Sequence, residues 1–424
     1  MKLSNGARLG AATVLLFGLA ACGSNEQEAA SGASGSAPDT ATASTAASAA
    51  ATSTAECTAL EPFPIGIATS LTEPGAYQLG QEASAAIKSF VDVQNASGSP
   101  VTFDIIGEED DQGDPTVGRE AVARLLEKGA KAIVGDMSSA ISTATQPVVM
   151  QNGAIMMVGG SWADELTDPA NPLAFRVGAS NSGQATHGIV PYLISLRDEK
   201  GIKSVGLLTE DSPYGKGMAD SLISLMKEKA PDLTVTNEVY PADATDVTPQ
   251  LLALKEANPD EVVIIAVGAA RNLAIPQAFE VGLAPDAELL AQWNWPTYSD
   301  YWEVVGDKGT EVPYIDFEAP DQPLTEQGQA LADATGARPS IWAQWAWDGM
   351  LALTTAIESA CSTDPTAVAT AMESISVDGA SGQISFSKEE ADFHDRQALP
   401  TFVMKFDKLG DGAADAKVLF STTG

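Results

Sequence analysis

The sequence predicts an α/β fold of two lobes, each built on a parallel sheet, and three observations carry that expectation. Residues 131–167 read as one complete strand–helix–strand unit. The runs KAIVG and AIMMV are short, apolar and bounded by glycine, the form of strands buried on both faces. Between them, 139–152 has the length of a crossover helix, and Gly153 sits where a helix-ending glycine belongs. Residues 204–291 then repeat the alternation, with SVGLLT, a run over 234–239 and EVVIIAV as strands separated by helical segments. Finally, 424 residues with 44% apolar side chains suffice for two domains of ordinary size.

Parallel strands place the loops that follow them, 136–139 and 159–162, on one edge of the sheet, where open α/β sheets bind ligands. Ser138 and Ser139 stand at a helix start. A hydroxyl beside free backbone N–H groups suits a carboxylate, with the helix dipole contributing roughly 0.3–1 kcal/mol. A helix cap with no ligand is the second reading, and these residues alone leave both open.

Composition narrows the partners. With 57 acidic against 23 basic residues the formal charge is −34, which repels nucleic acid and anionic membranes but not a neutral or zwitterionic small ligand. Residues 1–21 read as an export signal: Lys2 and Arg8 supply charge, and 9–19 is an apolar run too short to span a bilayer. It ends in Leu19-Ala20-Ala21-Cys22, which is similar to a bacterial lipobox, so Cys22 is expected to carry lipid and become the mature N-terminus. Residues 22–56 are Ala, Ser, Thr and Gly with scattered acids and are expected to form a flexible tether, with an r.m.s. reach of about 30 Å. The other cysteines, Cys57 and Cys361, leave two readings: a disulfide formed in an oxidising compartment, or two free buried thiols.

The folded region is expected to open with a strand at 64–69, a loop containing Tyr77, a helix over 81–95 and a strand at 101–106. Asp114 is a good N-cap with Pro115 behind it, starting a helix to 127. The acids of 108–114 lack calcium-loop spacing and are read as a solvated turn. After the central unit come a helix over 183–197 and a second lobe whose first strand is followed by Ser212-Pro213-Tyr214. Residues 311–319 read as a connection back, 340–359 as a tryptophan-rich helix, 365–374 as another helix, and 382–386, 399–406 and 418–421 as late strands.

Taken in order, IGIATSLTEPGAYQLGQE, EDDQGDP, GDMSSAISTATQPVVMQNG with GGSWADELTDP, FRVGASNSGQ, LLTEDSPYGKG, WAWDGM and SGQISFS resemble the leucine/isoleucine/valine-binding family of periplasmic type I solute-binding proteins of ABC transporters. The resemblance covers nearly all of 65–406. It implies two Rossmann-like lobes joined by three crossovers, near Ser180, Val312 and Phe386. Lobe 1 would comprise 57–181 and 312–384, and lobe 2 would comprise 182–311 and 385–424. Ligand would sit between lobes that close on it. By position, the family's carboxylate-binding serine matches Ser139, with Ser138 and Ser161 beside the same pocket. Its backbone groups match Gly160 and Trp162, its lobe-two aromatic matches Tyr214, and Tyr77 lies one residue out of register.

Two departures bear on the ligand. Trp162 stands where the family often has a small residue, so its indole would fill or stack in the pocket. The loop that carries an acid for the ligand's ammonium in branched-chain amino-acid binders reads Gln292-Trp293-Asn294-Trp295 here. Trp293 would instead stack on an aromatic ligand or hold a cation, unless it only packs the loop. Trp342, Trp345 and Trp347 have helical spacing with Leu351, Leu353 and Ile357 and read as core, and Asp348 reads as structural.

The histidines His187 and His394 are far apart, so no histidine-rich metal site is expected, and no cofactor is implied. Gly159-Gly160-Ser161-Trp162-Ala163 is similar to a nucleophile elbow only in outline, and Ser224 to Lys227 lies on an ordinary amphipathic helix. The expected protein is therefore a non-enzymatic, monomeric lipoprotein on the extracytoplasmic side of the membrane. It would bind an amino-acid-like, amide or aromatic solute and serve ABC permease and ATPase subunits. The alternative is a receptor of the same fold that signals ligand occupancy to a membrane partner.

Overall fold

The computed structural model describes residues 57, 60–73, 76–267, 270–291, 300–396 and 399–422. The signal segment, Cys22, the tether and Trp293 lie outside the described residues.

Five parallel strands form the first sheet, in the order β2-β1-β3-β4-β5: β1 (Phe63–Thr69), β2 (Phe103–Asp110), β3 (Ala132–Asp136), β4 (Ile155–Val158) and β5 (Ala174–Arg176). β3 and β4 are buried along their whole length, as glycine-bounded apolar runs require. The helix between them, Ser139–Gln151, is followed at Gly153 by a left-handed φ of 65°. Asp114 caps the helix Pro115–Glu127, accepting the N–H groups of Thr116 and Val117 at 2.6 and 3.1 Å.

The second sheet has the order β7-β6-β8-β9, again all parallel: β6 (Ser204–Asp211), β7 (Thr234–Pro241), β8 (Glu261–Ile265) and β9 (Glu288–Leu290). A bridge from Ala291 to Tyr314 leads into β10 (Tyr314–Asp316). Past the hairpin of β11 (Val377–Gly379) and β12 (Gly382–Ile384), β13 (Thr401–Lys405) and β14 (Lys417–Thr422) complete an antiparallel sheet with β10.

The crossover positions differ from those expected at Val312 and Phe386. Val312 precedes β10, which still pairs with β13 beside the second sheet. Phe386 pairs with Arg396, while Asp395 lies parallel to Arg176 of β5, so this stretch still belongs beside the first sheet. A three-residue strand is too short for alternation to reveal, and a single bridge leaves no pattern at all. The helices Tyr301–Val305 and Glu326–Thr335 were likewise not expected, and the first helix begins at Tyr77, a turn earlier than its apolar spacing suggested.

The largest apolar cluster is continuous between the sheets, running from Phe63 and Ile87 through Trp162 and Tyr214 to Leu222 and Val263. Separate clusters cover the outer face of each sheet. The helix Ile341–Ala360, capped by the Ser340 hydroxyl at Ala343 N–H, is buried nearly all round. Cys57 and Cys361 are joined by a disulfide that ties the start of this region to the end of that helix. Among the described residues no helix is long and apolar enough to cross a membrane.

Candidate functional site

The loops after β3 and β4 meet at the start of the helix Ser139–Gln151. Ser138 occupies the cap position in extended conformation, yet its side chain makes no capping bond. Its carbonyl accepts the N–H groups of Ile141 and Ser142 instead. Ser139 is buried, and its hydroxyl oxygen accepts the N–H groups of Trp162 at 3.0 Å and Ala163 at 3.2 Å. Its own hydrogen has no acceptor among the described residues, so it is left to donate at the helix N-terminus.

Gly160 fits because a Cβ there would lie 2.5 Å from the Met137 sulfur and 3.1 Å from its Cα. Its N–H is committed to the Asp136 carbonyl at 2.9 Å. Ser161 departs from the expected ligand set. It is fully buried, and its hydroxyl donates to Asp136 Oδ1 at 2.9 Å and lies 2.7 Å from the Ser142 hydroxyl. Successive residues of an extended loop point to opposite sides, so turning Trp162 toward the second lobe turns Ser161 inward. Asp136 is fully buried at the end of β3. Loss of water pushes its carboxyl up to about 6, against the hydrogen bonds from Ser142, Ser161 and the Ser138 N–H, and the nearby Asp111 adds to the rise.

Arg176 lies beneath this loop with no exposed surface, and the sequence reading missed it. Its guanidinium donates to the carbonyls of Ser161 at 2.9 Å and Ala163 at 2.7 Å, and to Asp395 Oδ1 at 2.8 Å. Holding the carbonyls below leaves the N–H groups of the same loop facing Ser139. Asn181 was also missed. Its N–H donates to the Trp162 carbonyl at 2.8 Å and its side-chain amide to the Tyr214 carbonyl at 3.2 Å, so one residue at the first crossover holds both loops. An arginine on a short strand and an asparagine in a polar turn give no local signal of these roles.

From the second lobe comes Tyr214, at the start of the helix Pro213–Lys229, where Ser212 caps Gly215 N–H at 3.1 Å. The Trp162 and Tyr214 rings meet edge to face at 5.7 Å, and the residues are only 2% and 6% exposed. Around Trp162 stand Phe317 at 5.8 Å, Trp342 stacked at 6.0 Å and Trp345 at 6.3 Å. Trp345 also runs close under Gly178, whose Cβ would meet its ring at 2.9 Å and the Gly159 carbonyl at 2.0 Å. Trp342 and Trp345, expected to be core, are buried as expected and also form part of this wall. Tyr77 is half-buried at the first position of its helix, with its hydroxyl accepting from Gln78 at 3.1 Å. Asp348 and Arg396 form a buried ion pair at 3.1 Å, and Asp348 also accepts the N–H groups of Ala380 and Ser381, which follow β11.

Two parallel sheets thus present strand-end loops to each other around a ring of aromatic side chains. The sequence profile of periplasmic binding proteins matches residues 62–410. The chain belongs to the periplasmic binding protein family. Among curated relatives, Leu/Ile/Val-binding protein homolog 3 of Brucella melitensis is 23% identical over 311 residues, covering 72% of this chain and 80% of that one. Leu/Ile/Val-binding protein homolog 8 of Brucella abortus is 30% identical over 216 residues, 49% of this chain and 52% of that one. Leucine-binding protein LivK of Thermotoga maritima superposes with a TM-score of 0.72 at 19% identity, covering 85% of this chain and 99% of that one. A Rhodopseudomonas palustris solute-binding protein in complex with 4-hydroxybenzoate gives a TM-score of 0.70 at 16% identity, covering 86% and 97%. The fold is that of the type I periplasmic binding proteins. Membership of that family places the chain among binding proteins of the extracytoplasmic side.

Proposed function

We propose that this periplasmic binding protein is the lipid-anchored substrate-binding subunit of an ABC importer, held to the membrane through Cys22 and delivering a small solute to the permease. The contact between Trp162, whose N–H meets the Ser139 hydroxyl, and Tyr214 of the second lobe carries this reading. The free Ser139 hydrogen and the start of its helix suit the anionic or polar head of a solute. Gly160 shapes the floor, Ser138 and Tyr77 border it, and Trp162 with Tyr214 selects the remainder. Ser161 acts from beneath, through Asp136. A ligand bridging the two halves favours the closed arrangement, and closure is what the permease reads. Leucine-binding and hydroxybenzoate-bound relatives support a small acid as the solute class.

A thermal-shift screen of amino acids, amides, short aromatic acids and quaternary amines tests the reading. A one-site ligand at about a hundred times its dissociation constant adds roughly 2.7 kcal/mol. Retention of the chain in the membrane fraction, and its release in a Cys22→Ala variant, tests the anchor.

A further inference from the structure

Buried indole N–H groups are ordinarily paired, and among the described residues Trp347 and Trp302 follow that rule. Trp347 donates to Gln327 Oε1 at 2.9 Å and Trp302 to the Asp411 carbonyl at 2.9 Å. Trp342 and Trp345 break it. They are 5% and 0% exposed, and neither indole nitrogen has an acceptor among the described residues. These two rings lie 5.1 Å apart on successive turns of the helix Ile341–Ala360, and both pack on Trp162. Trp162 in turn is tied by its backbone to Ser139. Two unspent donors therefore belong to rings packed on the residue whose backbone N–H meets Ser139.

Resting on the solute-binding reading above, we infer that Trp342 and Trp345 are specificity residues whose indole N–H groups hydrogen-bond the far end of a planar aromatic acid. The ligand's carboxylate meets Ser139 and the helix start. Its ring lies among Trp162, Tyr214 and Phe317, where edge-to-face packing rewards a flat π-system. A hydroxyl or carbonyl oxygen across the ring from the carboxylate accepts from the indoles. A site built around polar groups rejects an analogue that leaves them unpaired much more strongly than an apolar pocket rejects a missing methylene. An aliphatic amino acid offers no acceptor at that end.

The test is calorimetric titration of the full chain with 4-hydroxybenzoate and benzoate, with leucine as the amino-acid control. 4-Hydroxybenzoate is expected to bind at least tenfold tighter than benzoate. Trp342→Phe and Trp345→Phe keep a ring in place but remove the N–H, and the double variant should lose that advantage, with the affinities for the two acids falling to within about threefold of each other. On the unaltered protein labelled with 15N-tryptophan, 4-hydroxybenzoate should shift two indole N–H resonances that benzoate leaves in place, which keeps the test open if a variant misfolds. Equal binding of the two acids, an advantage that survives the double variant, or indole resonances that respond alike to both acids would each overturn the inference. Leucine binding with neither aromatic acid bound overturns it too, yet leaves the solute-binding reading standing. A chain that binds no solute of any class fails that reading itself.

Discussion

The hydroxyl of Ser139 receives the backbone N–H of Trp162 at 3.0 Å, so the two strand-end loops of the first lobe are held together at the point where ligand is expected. The same oxygen also takes Ala163 N–H at 3.2 Å. Ser139→Ala therefore strands two buried donors and removes a ligand partner at once. We expect a stability loss of about 1–3 kcal/mol in urea unfolding and a weakening of similar size in cognate ligand affinity by calorimetry. Unchanged affinity with reduced stability would leave Ser139 as a cap and loop clamp only.

Asp136 gives the loop a pH dependence of definite sign. Burial lifts its carboxyl to about 6, above the unfolded value of about 3.9. The folded chain thus keeps a proton that the unfolded chain has already lost. Its contribution to stability is greatest below about pH 4, falls as pH rises toward 6, and is then level. Asp111 is the charged group facing it, and its carboxyl is raised by burial as well. Asp136→Asn keeps an acceptor for Ser161 but cannot ionise, so the variant should gain on the wild type by about 2–3 kcal/mol between pH 4 and pH 7. Urea unfolding at several pH values measures this gain. A constant difference across that range would show that Asp136 titrates normally.

How much of this was legible depends on the length over which each residue's role is written. KAIVG and AIMMV announce themselves as buried strands because burial on both faces leaves an uninterrupted apolar run, and the serines between them mark a helix start. The meeting of the loops carrying Ser139 and Trp162 followed from parallel topology, which sends successive loops to one edge, whereas Tyr214, after a strand of the other sheet, was indicated only by the family resemblance. What the sequence hid is set by facing and by long-range pairing. Ser161 and Trp162 are neighbours, and only their environment decides which one turns toward Asp136. Arg176 and Asp395 are distant in the chain, so nothing near either predicts their 2.8 Å pair. The donors of Trp342 and Trp345 read as core because helical spacing reports burial and says nothing of whether a polar atom has found a partner.

Arg396 and Asp348 form an ion pair whose side chains are almost wholly out of water. The Arg396 guanidinium also donates to the Val177 and Gln383 carbonyls, joining the first crossover to the β11–β12 hairpin. Removing one partner of a buried pair leaves an uncompensated charge, at a cost of about 3–5 kcal/mol. We expect Arg396→Met to lose that much in chemical denaturation, and Arg396→Met with Asp348→Leu to recover most of it. A double variant no more stable than the single one would assign the loss to the carbonyl contacts rather than to the stranded carboxylate.

Glu261 makes the opposite lesson measurable. It opens β8 at 1% exposure, and both of its carboxyl oxygens lack a hydrogen-bond partner among the described residues. Burial pushes its carboxyl up to about 8, the charge of Glu288 adds to the rise, and Lys200 opposes it. Lys200 pairs with Glu288 at 2.5 Å and so compensates Glu261 only in part. The folded form again holds a proton that the unfolded chain releases, here between about pH 4.5 and pH 8. Stability from this group is therefore full below the unfolded value and lost as pH rises to 8, an upper limit of about 4–5 kcal/mol. Glu261→Gln should match the wild type near pH 4.5 and melt at a higher temperature at pH 8, with scanning calorimetry reading the divergence. A wild type that holds its melting temperature across that interval, in step with the variant, would place water or a cation against the carboxylate and remove the cost of its charge.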